Sequence, residues 1–322
     1  MDKRYDAVVI GGGAAGLSGA VALARSRRRV LVVDAGEPRN AKASHVHNYL
    51  AREGTPPADL LAAGRAEVAG YGGTVVEGRV TTAERRDNGT FRVTLEDGRR
   101  TDARRLLVTT GLVDELPDLP GVAQRWGRDV LHCPFCHGWE ARDRAIGILA
   151  TGPMALHQAL MWRQLSADVT VFRHTGPGFA DDALEQLAAR GIPVVDGEVA
   201  GLVVDGDRLT GVRMASGEVV AREVVVVTPR FTARSELLTA LGLETAEQVV
   251  NGTVVGTFVP ADPAGATAVP GVWVAGNVTA LMAQVIGSAA AGLMAGAAIN
   301  GDLVLEDTRA AVAAARELVA VS

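Results

Sequence analysis

The stretch that decides the fold is residues 7–24, which read AVVIGGGAAGLSGAVALA. Four apolar residues predict a short strand, the glycines predict a tight turn, and the alanine-rich run predicts a helix. A second apolar strand, Val30–Val33, follows and ends at Asp34. The turn therefore has the spacing G-x-G-x-x-G between a strand and a helix, with an acidic residue after the next strand. This pattern predicts a βαβ unit that binds a dinucleotide.

The residue types in this turn explain the predicted binding. Glycines permit the tight turn and the close approach of a pyrophosphate, and the N-terminus of the helix supplies N–H donors and a positive dipole. The acidic residue accepts hydrogen bonds from ribose hydroxyls. The predicted contacts are those of Gly11, Gly13, Ala14, Ala15, Gly16 and Asp34. The turn alone leaves both FAD and NAD open.

The chain of 322 residues has room for two domains. A second βαβ pattern covers Ala145–Phe172, and Val75–Val80 reads as one strand of an inserted meander. A loop rich in proline and acid, residues 114–121, precedes the second module. We predict an α/β fold with two doubly wound, Rossmann-like dinucleotide-binding domains, the second inserted into the first. The predicted boundaries are 1–113 with 229–322 for the FAD-binding domain and 114–228 for the NADPH-domain-like module.

Composition excludes several classes of protein. With 48% hydrophobic and 21% charged residues the chain is typical of globular proteins, and a net charge of −5 argues against nucleic-acid binding. The N-terminus lacks the layout of an export signal, so we expect a cytoplasmic protein. Residues 280–299 contain no charged side chain, but they are mostly small. We interpret this run as a helix packed closely against other backbone, not as a membrane span.

The second dinucleotide turn is weaker than the first. Its glycine pattern is reduced to Ala150, Gly152 and Ala155, and Pro153 crowds the place where a pyrophosphate approaches. After the next strand, Arg173 is a single arginine where a 2′-phosphate favours a cluster. We therefore favour a retained scaffold module with impaired NADPH binding.

The motif HCPFCH at residues 132–137 contains both cysteines of the chain. C-x-x-C spacing lets Cys133 and Cys136 form a small disulfide ring and can lower one thiol pKa. His137 titrates near neutrality and is our candidate base. Haem attachment, a zinc site and two inert buried thiols are the alternatives to a redox pair, and we predict no metal site. His45 and His47 are candidates for the wall of the flavin or substrate pocket.

Over essentially its full length the chain resembles the low-molecular-weight thioredoxin reductases. The resemblance rests on the first glycine turn, on the TTG stretch 109–111, on the C-x-x-C motif, and on WVAGNV at 273–278 followed by AQV at 283–285. It implies bound FAD, with Asn277 at the ribityl chain and the helix from Gln284 directed at the isoalloxazine. It also implies a homodimer. The further expected flavin contacts are Arg39, Asn48, Val80, Thr110, Gly111, Gly276 and Val285.

The departures from that family point to a subgroup. The reductases usually have Asp where this chain has His137, Asp where it has Asn277, and an intact NADPH turn. The stretch CPFCHGWE resembles that of the flavin-dependent dithiol oxidases that close disulfides in antibiotics and related natural products such as holomycin, gliotoxin and romidepsin. The resemblance implies an FAD-dependent oxidase that acts on a small-molecule dithiol and passes electrons to molecular oxygen. The alternatives are an NADPH-dependent thioredoxin-disulfide reductase and a flavin-binding redox sensor.

Overall fold

The computed structural model describes residues 4–321. Residues 1–3 and 322, the two ends of the predicted FAD-binding domain, lie outside the described part of the chain. The strands are β1 (Arg4–Ile10), β2 (Val30–Asp34), β3 (Thr74–Glu77), β4 (Val80–Arg85), β5 (Phe91–Leu95), β6 (Arg100–Val108), β7 (Leu112–Glu115), β8 (Val130–Leu131), β9 (Ile146–Leu149), β10 (Val169–Phe172), β11 (Val194–Val195), β12 (Val199–Asp205), β13 (Arg208–Met214), β14 (Val219–Ala221), β15 (Val224–Val226), β16 (Arg230–Ala233), β17 (Ala246–Val250), β18 (Thr253–Phe258) and β19 (Val272–Val274). The helices are α1 (Ala14–Arg25), α2 (Pro57–Gly70), α3 (Val122–Arg125), α4 (Pro134–His137), α5 (Ala155–Trp162), α6 (Asp181–Ala189), α7 (Glu236–Ala240) and α8 (Val285–Val321).

The first sheet is built around β1. Its strand order is β3-β2-β1-β6-β5-β4, with β19 also beside β6. Strands β2, β1, β6 and β19 pair in parallel, whereas β5 and β4 are antiparallel. Val8 and Ile10 belong to the core on one face of this sheet, and Ala7 and Val9 to the core on the other. Burial on both faces is typical of a parallel sheet covered by helices.

The second sheet is fully parallel, with the order β11-β10-β9-β15-β8. The antiparallel strands β12, β13 and β14 form a separate three-stranded sheet whose buried residues share a core with it. The two predicted βαβ units are therefore both present, and the α/β fold class is confirmed.

A third region joins the two parallel sheets. Strands β7 and β16 pair antiparallel within a four-stranded sheet that also contains β18 and β17. Asp114 and Glu115, which we predicted as part of a loop, lie in β7 opposite Phe231 and Arg230. The predicted boundary after residue 113 thus falls inside a strand, and the one after residue 228 falls just before β16. The division into domains stays a prediction.

The small-residue run forms the beginning of α8 and packs directly against α1. A Cβ added at Gly292 would lie 1.9 Å from the carbonyl oxygen of Ala15, and one at Gly296 would lie 2.6 Å from that of Gly19. Only glycine allows two helices to approach this closely. The structure confirms the predicted close packing, although α8 begins at Val285 and not at residue 280.

Helix α8 is long and apolar enough, by length and composition, to cross a membrane between Val285 and Ala320. Its middle portion, however, is tied to the first sheet by ion pairs. Arg105 pairs with Asp302 at 2.5 Å, and Arg104 pairs with Glu306 at 2.7 Å. Burial raises the pKa of Glu306, but the hydrogen bonds from these arginines lower it by more, so the carboxyl stays ionised.

One sequence prediction of a strand is wrong in detail, and other elements were not predicted. The single strand predicted for Val75–Val80 is divided into β3 and β4, because Gly78 has a φ of +156° and donates its N–H to the carbonyl of Asp34. The sequence analysis also missed the hairpin of β17 and β18 and the amphipathic helix α6.

Candidate active site

A cleft of about 920 Å³ runs between the first glycine turn and the dithiol motif. Residues from both modules form its wall. It is lined by the predicted site residues Gly11, Gly13, Ala14, Ala15, Asp34, Arg39, Val80, Thr110, Gly111, Cys133, Cys136, His137, Gly276, Asn277, Gln284 and Val285. The fold therefore brings together residues as far apart in the chain as Gly11 and Val285. Two predicted residues, Gly16 and Asn48, have other surroundings.

The three glycines of the first turn have different roles. Gly11 has a φ of +107°, and a Cβ there would lie 2.5 Å from the carbonyl oxygen of Thr109. A Cβ at Gly16 would lie 1.9 Å from the carbonyl oxygen of Gly11, so Gly16 allows α1 to approach the turn instead of lining the cleft. A Cβ at Gly13 would meet no described atom within 4 Å. Gly13 therefore faces the open cleft.

Asp34, the last residue of β2, is hydrogen-bonded to this turn. Its Oδ1 accepts hydrogen bonds from the backbone N–H of Gly12 at 3.1 Å and of Gly36 at 3.3 Å. The carboxylate also lines the cleft. This position fits the predicted contact with ribose hydroxyls, which stays a prediction.

Arg39 forms a bidentate ion pair with Asp114 of β7, with N–O distances of 2.8 and 2.6 Å. Its guanidinium lies over the ring of Phe231, 5.3 Å from the ring centroid, and its Nη1 donates to Oδ1 of Asn277 at 3.4 Å. Sequence analysis missed Asp114 and Phe231, because only the pairing of β7 with β16 brings them to the cleft. Arg39 is thus fixed in the wall by partners from three other segments of the chain.

The hydrogen bonds of Asn277 explain why an amide suits the position at which the reductases have a carboxylate. Its Nδ2 lies within hydrogen-bonding distance of the carbonyl oxygens of Ala280, Leu281 and Ala283, at 3.0, 3.3 and 2.9 Å. A carboxylate cannot donate to carbonyls. The side chain therefore organises the turn that leads into α8, and its oxygen is left for Arg39 and the cleft.

The dithiol lies at the beginning of the short helix α4. Cys133 is its N-cap residue, and the Cys136 thiol donates to Cys133 Sγ across 2.7 Å. This hydrogen bond, the backbone N–H groups of Cys136 and Phe135, and the positive charge of Arg39 lower the pKa of Cys133 to about 7, against the opposing effect of burial. Donation to Cys133 and burial raise the pKa of Cys136. Cys133 therefore carries the first negative charge of the reduced pair.

His137 follows the dithiol and also lines the cleft. Its Nε2 is buried and has no hydrogen-bond partner among residues 4–321. Burial lowers the pKa of His137, the charge of Glu140 opposes this shift, and His47 adds to it. The imidazole is consequently neutral near pH 7 and able to accept a proton, as the predicted base role requires.

His45 and His47 both line the cleft, with ring centroids 6.1 Å apart. Nδ1 of His47 lies 2.6 Å from Oε1 of Glu53, and its Nε2 lies 3.5 Å from Oε1 of Glu140. Sequence analysis missed both glutamates: Glu140 is distant in the chain, and Glu53, only six residues from His47, is brought to it by the fold of the loop between them.

The sequence predicted that Asn48 contacts the flavin, but in the structure its side chain contacts the dithiol segment. Its backbone has a φ of +58°, which asparagine tolerates better than most residues. In this conformation its Nδ2 donates to the carbonyl oxygen of Phe135 at 2.6 Å, inside the C-x-x-C motif. Asn48 therefore joins the first module to the dithiol segment.

The first position of the second dinucleotide turn is covered by its own chain. Ala150 is 1% exposed, and a Cβ at Gly176 would lie 2.7 Å from the Ala150 carbonyl oxygen. The covering loop is held by His174, whose Nδ1 accepts from the Val199 N–H at 3.1 Å, and by Arg173, which pairs with Asp196. A Cβ added at Gly152 would meet no described atom within 4 Å, so this packing is confined to the first position of the turn.

The residues of the main cleft fit a flavin dinucleotide. Gly13 and Gly111 present open backbone on one side, and the beginning of α8 at Gln284 and Val285 lies on another. A helix N-terminus offers N–H donors to an electron-rich ring or phosphate. No group of three or more His, Cys, Asp or Glu side chains in the described range is arranged to hold a metal ion.

Comparisons with known proteins agree with this geometry. Residues 5–296 match the family described as pyridine nucleotide-disulphide oxidoreductase. The chain is 30% identical to thioredoxin reductase tcpT of Claviceps purpurea, covering 94% of this chain and 95% of that protein. It is also 30% identical to thioredoxin reductase sirT of Leptosphaeria maculans, covering 92% and 93%. Among solved structures, HlmI is 47% identical over 99% of both chains, with a TM-score of 0.91.

The chain therefore belongs to the pyridine nucleotide-disulphide oxidoreductase family. Within it, the chain is a thioredoxin reductase-like, flavin-dependent oxidoreductase with the two-domain Rossmann-type fold of a soluble flavoenzyme. These relationships confirm the predicted resemblance and the FAD cofactor. They leave the role of NADPH open.

Proposed function

We propose that this protein is an FAD-dependent dithiol oxidase, which forms an intramolecular disulfide in a small natural-product dithiol and uses O₂ as electron acceptor. One observation carries the proposal: the dithiol shares a cleft with the intact first turn, whereas the second turn has the buried Ala150 in place of its first glycine, packed against the loop at Gly176. Electrons can thus pass from a thiol substrate to the flavin without a nicotinamide site.

The first step is exchange between the substrate and the oxidised pair. A substrate thiolate attacks Sγ of Cys133, the Cys133–Cys136 bond breaks, and Cys136 leaves with the bonding electrons. His137, neutral because it is buried, accepts the proton of the attacking thiol and can return it to Cys136.

The second step closes the product ring. The other thiolate of the substrate attacks its own sulfur in the mixed disulfide, and Cys133 leaves as a thiolate. A leaving thiol of low pKa leaves faster, so the lowering of the Cys133 pKa to about 7 favours this step. The enzyme now holds two thiols, and the substrate has lost two electrons and two protons.

Bound FAD supplies a two-electron acceptor for the enzyme dithiol, and O₂ takes the electrons and protons to give H₂O₂. The chain then holds a disulfide again. Cys136, the flavin-facing sulfur by resemblance, completes this transfer.

The proposal is tested with dithiothreitol as substrate. The wild-type enzyme should consume one O₂ and release one H₂O₂ for each disulfide formed. Cys136→Ser should keep its bound FAD but lose turnover by at least about a thousandfold, because the variant cannot form the internal disulfide. Normal turnover in this variant would reject the mechanism.

We also propose that the enzyme works in the cytoplasm as a homodimer. Apolar side chains on α8 support self-association, since Leu293, Met294 and Leu305 are 51%, 54% and 60% exposed. Sedimentation velocity should give twice the mass of one chain, and a monomer at micromolar concentration would contradict the proposal.

A further inference from the structure

Residues 46–55 form a compact loop, here called the clamp loop, that reaches from the first module to the dithiol. Its ends are joined, since Val46 donates to Thr55 O at 2.8 Å and Gly54 donates to Val46 O at 2.9 Å. Val46 is 3% exposed, and α2 begins directly after the loop. The clamp loop is therefore anchored in the first module.

Two residues of the clamp loop have left-handed backbone conformations. Asn48 has a φ of +58° and Ala51 a φ of +65°. The second is unfavourable for a residue with a Cβ, and such strain persists only where surrounding structure enforces it. Glu53 supports the conformation by accepting from the Asn48 backbone N–H at 2.8 Å and by its contact with His47. The loop is thus shaped to direct the Asn48 side chain outward.

The contacts of this loop reach the dithiol segment at two points. Asn48 Nδ2 donates to the Phe135 carbonyl oxygen, between the two cysteines, and His47 pairs with Glu140 four residues after Cys136. Close by, Lys42 touches Gly127, where a Cβ would lie 2.9 Å from the Lys42 Cβ. Any motion that takes the dithiol out of the cleft has to break these contacts.

We propose that Asn48 is a positioning residue that holds the C-x-x-C segment in the flavin cleft, with the His47–Glu140 pair as a weaker second attachment. The clamp keeps the dithiol within reach of the cofactor through the catalytic cycle and closed to protein-sized reactants. The consequence of the clamp, fast electron transfer within the cleft, rests on the proposed function. The attachment of the dithiol segment to the clamp loop is a property of the fold alone.

Thiol labelling tests the clamp directly, because Cys133 and Cys136 are the only cysteines of the chain. The fully reduced holoenzyme is freed of reductant under anaerobic conditions. It is then labelled with N-ethylmaleimide or with a maleimide that carries a long polyethylene glycol chain. The measured quantity is the ratio of the two labelling rates, which falls when large reagents are excluded.

Asn48→Asp keeps the size and the backbone preference of asparagine. It replaces the Nδ2 donor by a carboxylate oxygen, which cannot donate to the Phe135 carbonyl oxygen. We expect the ratio of large-reagent to small-reagent labelling to rise about fivefold, the effect of losing one hydrogen bond on the population of the released state. Asn48→Gly, which keeps the positive φ, should show a similar rise, and Glu140→Gln a smaller one. Asn251→Asp is the matched control, an exposed asparagine at a φ of +50° far from the dithiol.

An unchanged ratio in both Asn48 variants would overturn the proposal, and so would an equal increase for both reagents, which would indicate local loosening. The labelling readout is independent of oxidase activity. If dithiothreitol fails to reduce the wild-type flavin, the proposed function is rejected while the clamp is still tested by the ratio.

Discussion

The two dinucleotide turns of this molecule have the same topology but differ at their first glycine position. In the first, Gly13 faces open space in the cleft and the glycines around it permit close packing behind the turn. In the second, Ala150 replaces the first glycine and Gly176 packs onto it. The same strand–turn–helix unit is a binding site in one module and a packed scaffold in the other.

The comparison shows that the glycine pattern alone does not make a binding site. Whether a cofactor can bind also depends on which residues pack against the turn. The first module leaves the space in front of its turn to a cofactor, and in the second Gly176 packs against Ala150 at the first position of the turn. The second module contributes instead the dithiol, which α4 and the clamp loop hold at the cofactor cleft.

The largest effect should come from adding one methyl group to each turn. Gly16→Ala places a Cβ 1.9 Å from backbone, so we expect a loss of about 3 kcal/mol of stability and loss of most of the bound FAD. Gly152→Ala, where no described atom lies within 4 Å of the new Cβ, should change stability by less than about 0.5 kcal/mol. Urea unfolding and flavin content measure both, and equal effects would reject the packing role of Gly16.

An intermediate effect should show that FAD binding in the cleft depends on hydrogen-bond donors as well as on open space. Asn277→Asp removes the donations to three carbonyls before α8, and we expect a loss of about 2 kcal/mol in stability with weaker FAD binding. Calorimetric titration of the apoprotein with FAD measures the affinity. Asn251→Asp provides the control, and an affinity as high as that of the wild type would reject the role of the amide.

The smallest effect concerns the influence of the first module on the dithiol of the second. With a pKa of about 7, Cys133 is half thiolate near neutrality, so its alkylation should increase up to that pH and then level off. Arg39→Met removes a nearby positive charge and should move the midpoint to higher pH. Peptide mass spectrometry after iodoacetamide labelling separates the two cysteines. A wild-type midpoint near 9, the ordinary thiol value, would contradict this account of the site.

Local patterns in the sequence predicted much of the fold and the chemistry. Period and turn residues located both βαβ units, and C-x-x-C spacing located the dithiol. What could not be predicted depends on pairing between distant segments. The partners of Arg39 and Asn48 follow from β7–β16 pairing and from the docking of the clamp loop, which no short-range pattern encodes. Gly16 was predicted as a cofactor contact because spacing alone does not separate packing glycines from binding ones.

The most direct test of the central claim is anaerobic reduction of the FAD-loaded protein, followed by flavin absorbance. Dithiothreitol should bleach the flavin rapidly, and NADPH and NADH should not, because the first module is open to the cofactor while the second turn has the packed Ala150 in place of its first glycine. Admission of air should restore the absorbance with release of H₂O₂. Rapid bleaching by NADPH would contradict the account and identify the protein as a nicotinamide-dependent disulfide reductase.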